Sequence, residues 1–372
     1  MSSKPASASF SILSRDDAPA LRAALLDWYD REGRTLPWRV RPEDRARGVT
    51  ADPYAVWLSE IMLQQTTVPH ATPYWTRFLA LWPTVHDLAN APREDVMAQW
   101  AGLGYYARAR NLHACAQMVS NELGGVFPSD LDRLRALPGI GEYTANAIRA
   151  AAFDLPASVV DGNVERVITR LFAIDAPLPG AKGVIRDHAA RLADPDRPGD
   201  YAQAIMDLGA TVCTPRGPAC HACPWAGACA ARAAGEAERY PVKAAKKARP
   251  VRHGLAFVIL RGQPGRREVY VRPRPDKGLL GGMLEAPGSG WLEDVSALPS
   301  VVAAAPAPLG WRKAGAVSHV FTHFALELDV YVAEAPAGWR GPDAQGRWMP
   351  AEPLSASGLP SVMKKAVRAA LG

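Results

Sequence analysis

Residues 213–229 read CTPRGPACHACPWAGAC and contain four of the chain's five cysteines. Their spacing is Cys213-x6-Cys220-x2-Cys223-x5-Cys229. Thiolates this close together in an intracellular-looking chain bind a metal centre more often than they form disulfides. A zinc site usually brings two tight cysteine pairs, and only one is present here. The run therefore favours a four-cysteine [4Fe–4S] cluster, with zinc left open as the alternative.

The bulk composition is that of a multidomain globular protein. The 372 residues, 48% of them hydrophobic, are enough for two or three domains, and no apolar run approaches the length of a membrane span. Residues 1–17 are rich in Ser and Ala and lack a signal pattern, so a disordered tail on a cytoplasmic protein is expected, nucleoid-associated if it is bacterial. The net charge of +6 weakly indicates a polyanionic partner.

The predicted fold is an all-α region over residues 18–230, closed by the cysteine loop 213–229. Apolar residues recur at helical spacing and strand-like alternation is nearly absent. Asp52-Pro53 is predicted to open one helix that runs to Leu63. Further helices are predicted at 105–123, 142–152, 164–174, 184–193 and 201–212.

The pattern changes twice towards the C-terminus. Residues 231–250 are basic, contain two prolines and show no apolar period, which predicts a linker. From residue 251 the pattern is that of strands, with a hairpin turn at residues 262–265 and alternation over 326–332. An amphipathic helix is predicted at 361–371, which makes residues 251–372 a smaller α/β domain.

A glycine-rich turn is the first motif with a chemical meaning. Leu137-Pro138-Gly139-Ile140-Gly141 lies between two predicted helices, so its backbone N–H groups and the next helix N-terminus can bind a phosphate. This is typical of a helix–hairpin–helix, which grips the DNA backbone without reading sequence. An ordinary helix–helix turn is the alternative.

Two carboxylates are candidates for acid–base chemistry. Glu60 lies in an apolar helix, where burial would raise its pKa into the range of a general acid. A surface position on the polar face of that helix is the alternative. Asp161 precedes a predicted helix and, taken alone, is best explained as its cap. Gln64, Gln65 and Thr66 form a polar tip one turn after Glu60.

The order of these motifs resembles that of the endonuclease III, or helix–hairpin–helix, superfamily of base-excision DNA glycosylases. The resemblance is closest to the MutY-type adenine DNA glycosylases and covers the first 230 residues. It rests on the cysteine spacing and on the segments 36–39, 58–66, 102–112, 137–147 and 160–164.

The resemblance implies a reaction and its residues. Relatives with lyase activity carry a lysine nucleophile where this chain has Tyr143, and they lack a counterpart of Glu60. A monofunctional enzyme is therefore expected, which flips out adenine mispaired with 8-oxoguanine or guanine and removes it with water, leaving an abasic site. Glu60 would protonate adenine at N7 and Asp161 would stabilise the cationic sugar, supported by Tyr143 and Asn163.

The resemblance also assigns the surrounding contacts. The flipped base would lie in a pocket of Trp38, Arg39, Leu63 and Gln203, although Trp38 and Leu63 could equally be core residues. Gln65 and Tyr105 would enter the duplex at the mispair, with further DNA contacts expected from Gln64, Thr66, Gly139 and Gly141. The expected partner is double-stranded DNA that contains such a mispair, and nothing requires more than a monomer.

Residues 251–372 resemble the 8-oxoguanine-reading domain of the same family, which is related to Nudix hydrolases. The match rests on residues 278–285 and on Phe321-Thr322-His323, where Thr322 replaces the usual serine. No acidic run follows the glycines, so magnesium pyrophosphatase activity is not expected. Residues 40–51 form a longer Arg-rich loop than the family predicts, and the sequence gives no reason for it.

Two other functions stay open on the sequence alone. One is a bifunctional, endonuclease-III-like pyrimidine glycosylase and lyase, which Tyr143 and Glu60 argue against. The other is a non-catalytic protein that binds damaged DNA, which would not need Glu60 and Asp161 together.

Overall fold

The computed structural model describes residues 17–244, 248–275, 278–354 and 358–372. By their internal contacts the residues form two compact units. Of the described residues, one unit holds 17–103 and 108–244, and the other holds 104–107 and those from 248 onwards. The predicted N-terminal tail lies outside the described residues except for Asp17.

The first unit is helical throughout its described part. Its helices are α1 (Ala18–Glu32), α2 (Pro42–Ala46), α3 (Pro53–Leu63), α4 (Val68–Leu81), α5 (Val85–Asn90), α6 (Arg93–Gln99), α7 (Ala107–Glu122), α8 (Leu131–Arg135), α9 (Glu142–Phe153), α10 (Gly162–Leu171), α11 (Lys182–Leu192), α12 (Pro198–Asp207) and α13 (Ala230–Ala233). The predicted start of α3 is confirmed, because the Asp52 carboxylate accepts a hydrogen bond of 2.9 Å from the Tyr54 N–H. None of the described helices has the length and apolar character needed to cross a bilayer.

Helix α9 lies at the centre of the unit. It packs against both α3 and α12, and α12 also contacts α1 and α10. A core of buried aliphatic and aromatic residues from α1, α10, α11 and α12 extends to Trp225 in the cysteine loop. The N-termini of α9 and α10 and the C-termini of α3 and α12 are held together by this packing.

The helix predicted over 201–212 ends earlier than expected. Helix α12 stops at Asp207 and is followed by a π-helical turn over Leu208–Val212, closed by a 2.7 Å hydrogen bond from the Cys213 N–H to the Leu208 carbonyl. A Cβ on Gly209 would stand 2.6 Å from the Cβ of Asn163, so this turn lies directly against α10. The sequence does not reveal the wider turn, because its cause is a contact with a distant helix.

The segment predicted as a linker differs from that expectation over its first half. Ala231 and Tyr240 are buried, and the Leu178 N–H donates to the Val242 carbonyl at 2.9 Å. Residues 231–243 therefore belong to the helical unit. The absence of an apolar period was misleading, because a short non-helical segment can bury single residues without one.

The Arg-rich loop over residues 40–51 is folded. It contains α2, and the Arg41 guanidinium donates to the Gly33 carbonyl at 2.7 Å. Arg45 lies 3.5 Å from the carboxylates of both Asp154 and Asp200. These contacts attach the loop to α1 and α12, which the sequence could not indicate.

The second unit contains a mixed sheet covered by a helix. Its elements are β1 (Val251–Arg261), β2 (Glu268–Pro273), β3 (Leu284–Glu285), α14 (Val301–Ala304), β4 (Arg312–Val320), β5 (Ala325–Glu334), β6 (Arg347–Pro350) and α15 (Ser361–Leu371). The strand order is β3-β2-β1-β5-β4, with β6 also paired to β2. Strands β1 and β5 are parallel, and the other pairs are antiparallel.

The predicted strand and helix patterns of this unit are confirmed. The turn over 262–265 joins β1 and β2, which pair Leu260 with Val269. In β5 the side chains of Leu326, Leu328, Val330 and Val332 are buried, as the alternation predicts. Helix α15 has the predicted bounds, and its buried residues join the core formed with β1, β4 and β5.

Candidate active site

The ends of four helices surround a cleft of about 200 Å³ in the helical unit. Thr66 and all of the predicted catalytic and base-pocket residues line it. The catalytic residues are Glu60, Tyr143, Asp161 and Asn163, and the pocket residues are Trp38, Arg39, Leu63 and Gln203. They come from α3, α9, α10, α12 and the loop after α1. The packing of these helices thus brings together residues up to 165 positions apart, from Trp38 to Gln203.

Glu60 lies on the last turn of α3 and is surrounded by protein except towards the cleft. Burial raises its pKa to about 7, partly opposed by a hydrogen bond from Tyr143 and by the charge of Arg39. Burial and the nearby Glu60 charge also raise the pKa of Tyr143, so its hydroxyl stays protonated as a donor. A carboxyl group with this pKa can donate a proton at neutral pH.

Asp161 sits at the N-terminus of α10 and is held in place by hydrogen bonds to both of its oxygens. Its Oδ1 accepts from the backbone N–H groups of Asn163 and Val164 at 2.9 and 2.8 Å. The Asn163 side-chain amide donates to Oδ2 at 2.8 Å. These three donors fix the position of the carboxylate. The cap predicted as the alternative is therefore real, and the same carboxylate also faces the cleft.

Arg39 brings a positive charge to the cleft, which Asp207 balances. The two side chains form a bidentate pair at 2.8 and 2.9 Å, and Arg34 adds a second bridge at 2.6 Å. Burial alone would raise the pKa of Asp207, but hydrogen bonds and charge from Arg39 and Arg34 outweigh it and hold the pKa below its usual value. The pair keeps Arg39 charged and fixed.

The Gln203 amide is oriented by two neighbours. Its nitrogen donates to the Gly199 carbonyl at 3.1 Å, and its oxygen accepts from the Tyr29 hydroxyl at 3.3 Å. Since the side chain is buried apart from the cleft, the amide offers a fixed polar group at the cleft wall.

The polar tip after α3 lies outside the cleft except for Thr66. The Gln64 amide donates to the Thr144 hydroxyl at 3.2 Å, whereas Gln65 is exposed. Gln65 has a φ of 57°, and Tyr105, also exposed, has a φ of 48°. Such backbone strain at non-glycine residues concentrates at functional sites.

In the glycine turn, the backbone conformation and packing require a glycine at position 139 but not at position 141. Gly139 has a φ of 77°, and a Cβ there would stand 2.8 Å from the Cβ of Asn111. Gly141 is the N-cap of α9, with open space where a Cβ would lie. Ile140 between them is buried, so the exposed backbone at Gly141 leaves room for close approach of a phosphate.

Comparison with known proteins agrees with this arrangement. Residues 58–189 match the family model for the HhH-GPD superfamily base excision DNA repair protein, and residues 255–369 match a NUDIX domain. The adenine DNA glycosylase of Homo sapiens is 37% identical over 410 aligned positions, which cover 95% of this chain and 74% of the human protein. The chain belongs to the adenine DNA glycosylase family.

Two further comparisons support the family and the fold of its helical unit. The adenine DNA glycosylase of Arabidopsis thaliana is 41% identical over 74% of this chain and 48% of its own length. The structure of a thermostable thymine-DNA glycosylase is 27% identical with a TM-score of 0.53, and it covers 59% of this chain and 98% of that protein. The chain is thus a DNA-binding glycosylase of this family.

In this member of the adenine DNA glycosylase family, the four clustered cysteines line one small cavity. Arg170 and Val212 also line it. A buried Arg170 guanidinium donates to the Cys213 sulfur at 3.3 Å and to the Thr214 carbonyl at 2.7 Å. Within the described residues, no three His, Cys, Asp or Glu side chains converge as they would around a single metal ion.

A chain of hydrogen bonds joins the cysteine loop to Asp161. The Arg166 guanidinium donates to the Cys213 carbonyl at 2.8 Å, to the Gly209 carbonyl at 2.7 Å and to the Asn163 side-chain oxygen at 2.9 Å. Asn163 in turn donates to Asp161. The orientation of the Asp161 carboxylate therefore depends on the backbone of the first cysteine.

The predicted recognition loop is the tip of a β-hairpin in the second unit. The Phe321 N–H donates to the Phe324 carbonyl at 2.8 Å, which leaves Thr322 and His323 exposed between β4 and β5. The carboxylate of Glu285, at the end of the glycine motif, pairs with Arg272 and Arg274.

Three residues that act on this site were missed by the sequence reasoning. They are Asp207, Arg166 and Arg108, whose guanidinium donates to the carbonyls of Ile61, Met62, Gln64 and Leu103. Asp207 follows Gln203 by four positions and Arg166 follows Asn163 by three, so each shares a helix face with a predicted site residue. That spacing is the signal that could have identified Asp207 and Arg166.

Proposed function

We propose that the protein removes adenine mispaired with 8-oxoguanine or guanine from double-stranded DNA by hydrolysis, leaving an abasic site, and that it acts as a monomer. The observation that carries the proposal is the pair Glu60 and Asp161 on one cleft, where burial raises the pKa of Glu60 and three hydrogen bonds hold the Asp161 carboxylate. Glycosidic bond cleavage needs one carboxylic acid and one carboxylate.

Glu60 is the proposed general acid. Adenine leaves poorly until a ring nitrogen is protonated, and with a pKa of about 7 Glu60 carries its proton in a large share of molecules at neutral pH. It would protonate adenine at N7. The carboxylate left behind can then take a proton from the attacking water.

Asp161 is the proposed stabiliser of the sugar. As the base departs, positive charge develops on the deoxyribose, and an ionised carboxylate that is already fixed in place lowers the energy of that state. The hydrogen bonds from Asn163 and Val164 supply this fixed position without reorganisation. Asp161 could also form a transient covalent bond to the sugar.

The reaction is proposed to stop at the abasic site. None of the described residues that line the cleft is a lysine, and Tyr143 occupies the hairpin position where lyase relatives carry one. Without an amine no Schiff base to the sugar forms. Strand cleavage would then fall to another protein.

The flipped adenine is proposed to occupy the cleft between Trp38, Leu63, Arg39 and Gln203. Extrusion costs a few kcal/mol and costs least at a mispair. Gln65 and Tyr105, exposed and strained, are suited to fill the space that the base leaves. The glycine turn at Gly139 and Gly141 would hold the DNA backbone.

The second unit is proposed to read 8-oxoguanine through the Thr322–His323 tip. Thr322 keeps a hydroxyl group where the family often has serine, so it can still donate a hydrogen bond. The Glu285 carboxylate is neutralised by two arginines, which supports a binding role for this unit rather than magnesium-dependent hydrolysis.

We propose that Cys213, Cys220, Cys223 and Cys229 hold a [4Fe–4S] cluster. All four cysteines line one cavity, and their spacing contains a single tight pair where a zinc site usually has two. Arg170 would donate to the Cys213 thiolate and offset its negative charge. When bound, the cluster would fix the cysteine loop, and through Arg166 the position of Asn163.

A single-turnover assay on a duplex with one A·8-oxoguanine pair tests the proposal. Cleavage of the adenine strand only after alkali is expected, and Glu60→Gln should abolish base release while retaining mispair binding. Cleavage without alkali, with borohydride trapping of a covalent complex, would instead support the bifunctional lyase. Binding without any base release would support a non-catalytic damage-binding protein.

A further inference from the structure

A row of aromatic rings in mutual contact flanks the hairpin tip of the second unit. The ring of Trp291 stacks on Phe321 with centroids 5.7 Å apart and planes 25° from parallel. Phe321 contacts Phe324 at 5.0 Å, and the imidazole of His319 meets the edge of Phe321 at 4.6 Å. Phe321 and Phe324 are the two residues that flank the exposed tip.

Trp291 is firmly seated on the sheet. A Cβ on Gly254, in the middle of β1, would stand 2.7 Å from Cδ1 of Trp291, so the indole occupies space that only a glycine leaves free. A glycine inside a strand costs stability unless something approaches closely. The next residue, Leu292, exchanges backbone hydrogen bonds of 2.7 and 2.9 Å with His253 of β1.

Two arginines complete the arrangement. The Arg252 guanidinium lies 4.5 Å from the ring centre of Phe324, and that of Arg274 lies 4.8 Å from the indole of Trp291. Cations over aromatic faces stabilise the rings where they are. Arg274 is itself held by Glu285, so the row is fixed at both ends.

We propose that Trp291 is a positioning residue that sets the preference for 8-oxoguanine by fixing the orientation of the Thr322–His323 tip. This inference rests on the proposed function of the second unit. A two-residue tip has few contacts of its own, so its direction depends on the flanking rings. A hydrogen bond from Thr322 distinguishes 8-oxoguanine from guanine well only if the tip is already held in the bound orientation, because ordering a loose tip on binding costs free energy.

The test compares excision from A·8-oxoguanine and A·G duplexes by the full-length protein in single turnover. Trp291→Ala should lower the rate on A·8-oxoguanine by about tenfold and leave the A·G rate unchanged, since one aromatic stack has this order of effect. Trp291→Phe retains a ring and should restore most of the preference. The matched control is Trp311→Ala, because Trp311 packs on Phe257 at 4.9 Å, away from the tip.

The outcomes separate this inference from the function on which it rests. A Trp291→Ala protein that keeps the wild-type ratio of the two rates would overturn the role of Trp291. An equal fall on both duplexes would also overturn it, because it would indicate general damage to the protein. If Trp291→Ala does not fold, Phe321→Leu removes the same stack from the other side and should show the same selective loss. A wild-type protein with no preference for 8-oxoguanine would refute the proposed reading domain itself.

Discussion

The Glu60 carboxyl group must carry a proton for the proposed reaction to begin. Burial raises its pKa to about 7, so the protonated fraction falls as pH rises through neutrality. We expect the single-turnover excision rate to fall about tenfold per pH unit well above pH 7 and to level off below it. Rates measured from about pH 5.5 to about pH 9 check this. A rate that is flat to the alkaline limit would exclude Glu60 as the acid.

The same carboxyl group links stability to pH. The folded protein holds the Glu60 proton more tightly than an unfolded chain, whose pKa is near 4.5. This stabilising contribution is complete below about pH 4.5 and is lost as pH rises through about 7. The difference in free energy of unfolding between Glu60→Gln and the wild type should therefore shift in favour of the variant between about pH 5 and about pH 8.5. The expected shift is about 1–2 kcal/mol after allowing for the open cleft.

Denaturant titrations of both proteins at the two pH values measure that difference. Asp161→Asn is the comparison variant, since it removes a carboxylate from the same cleft. If Glu60→Gln is equally stabilising or destabilising at both pH values, the Glu60 carboxyl is not held in the protonated form.

At the scale of single residues, the sequence predicted the groups on the cleft but not the groups that orient them. Sequence motifs predict Glu60 and Asp161, the family resemblance predicts Gln203, and the structure places all three on one cleft. The partners Asp207 and Arg166 act through contacts with segments more than forty residues away. Helical spacing puts Asp207 and Arg166 on the same faces as site residues, but their distant partners are set by how helices cross, which local sequence patterns do not encode.

Helix α3 ends in a way that depends on one side chain from α7. The last carbonyls of a helix have no partner within it. Here the Arg108 guanidinium donates hydrogen bonds to the carbonyls of Ile61, Met62 and Gln64. It also donates to the Thr66 hydroxyl at 3.3 Å. Arg108→Met should leave several buried carbonyls unsatisfied and lower the free energy of unfolding by about 2–4 kcal/mol. Chemical denaturation of the variant measures this loss.

Arg108→Lys separates charge from geometry. A lysine keeps the positive charge at the negative end of the helix dipole but cannot reach several acceptors at once. We expect it to recover less than half of the loss. Full recovery would show that charge alone holds the end of α3.

At the scale of elements, the sequence predicted helices such as α3, α9 and α15 and strands β1, β2 and β5, but it missed α4, β4 and the irregular segments. Predicted helices 142–152 and 361–371 match α9 and α15 closely, because their apolar faces pack on a core. The π turn after α12 and the folded loop around α2 follow from Gly209 meeting Asn163 and from Arg45 meeting Asp154 and Asp200. No hydrophobic period marks such contacts.

The two units each have their own hydrophobic core, which makes the proposed division of labour testable by truncation. The core of the second unit is built mainly from β1, β2, β4, β5 and α15, all within residues 251–372. The residues of the cleft all precede residue 211. Removing 251–372 should therefore leave the acid–base pair intact and preserve measurable excision of adenine opposite guanine.

The truncated protein should lose its preference for 8-oxoguanine, because the hairpin tip that would contact the lesion is gone. We expect the ratio of the A·8-oxoguanine and A·G rates to fall by at least about tenfold, as loss of one specific polar contact to a lesion implies. Full-length Glu60→Gln, inactive on both duplexes, is the control for contaminating activity. Equal preference after truncation would place lesion recognition in the helical unit, and the exposed Thr322 and His323 would then need another role.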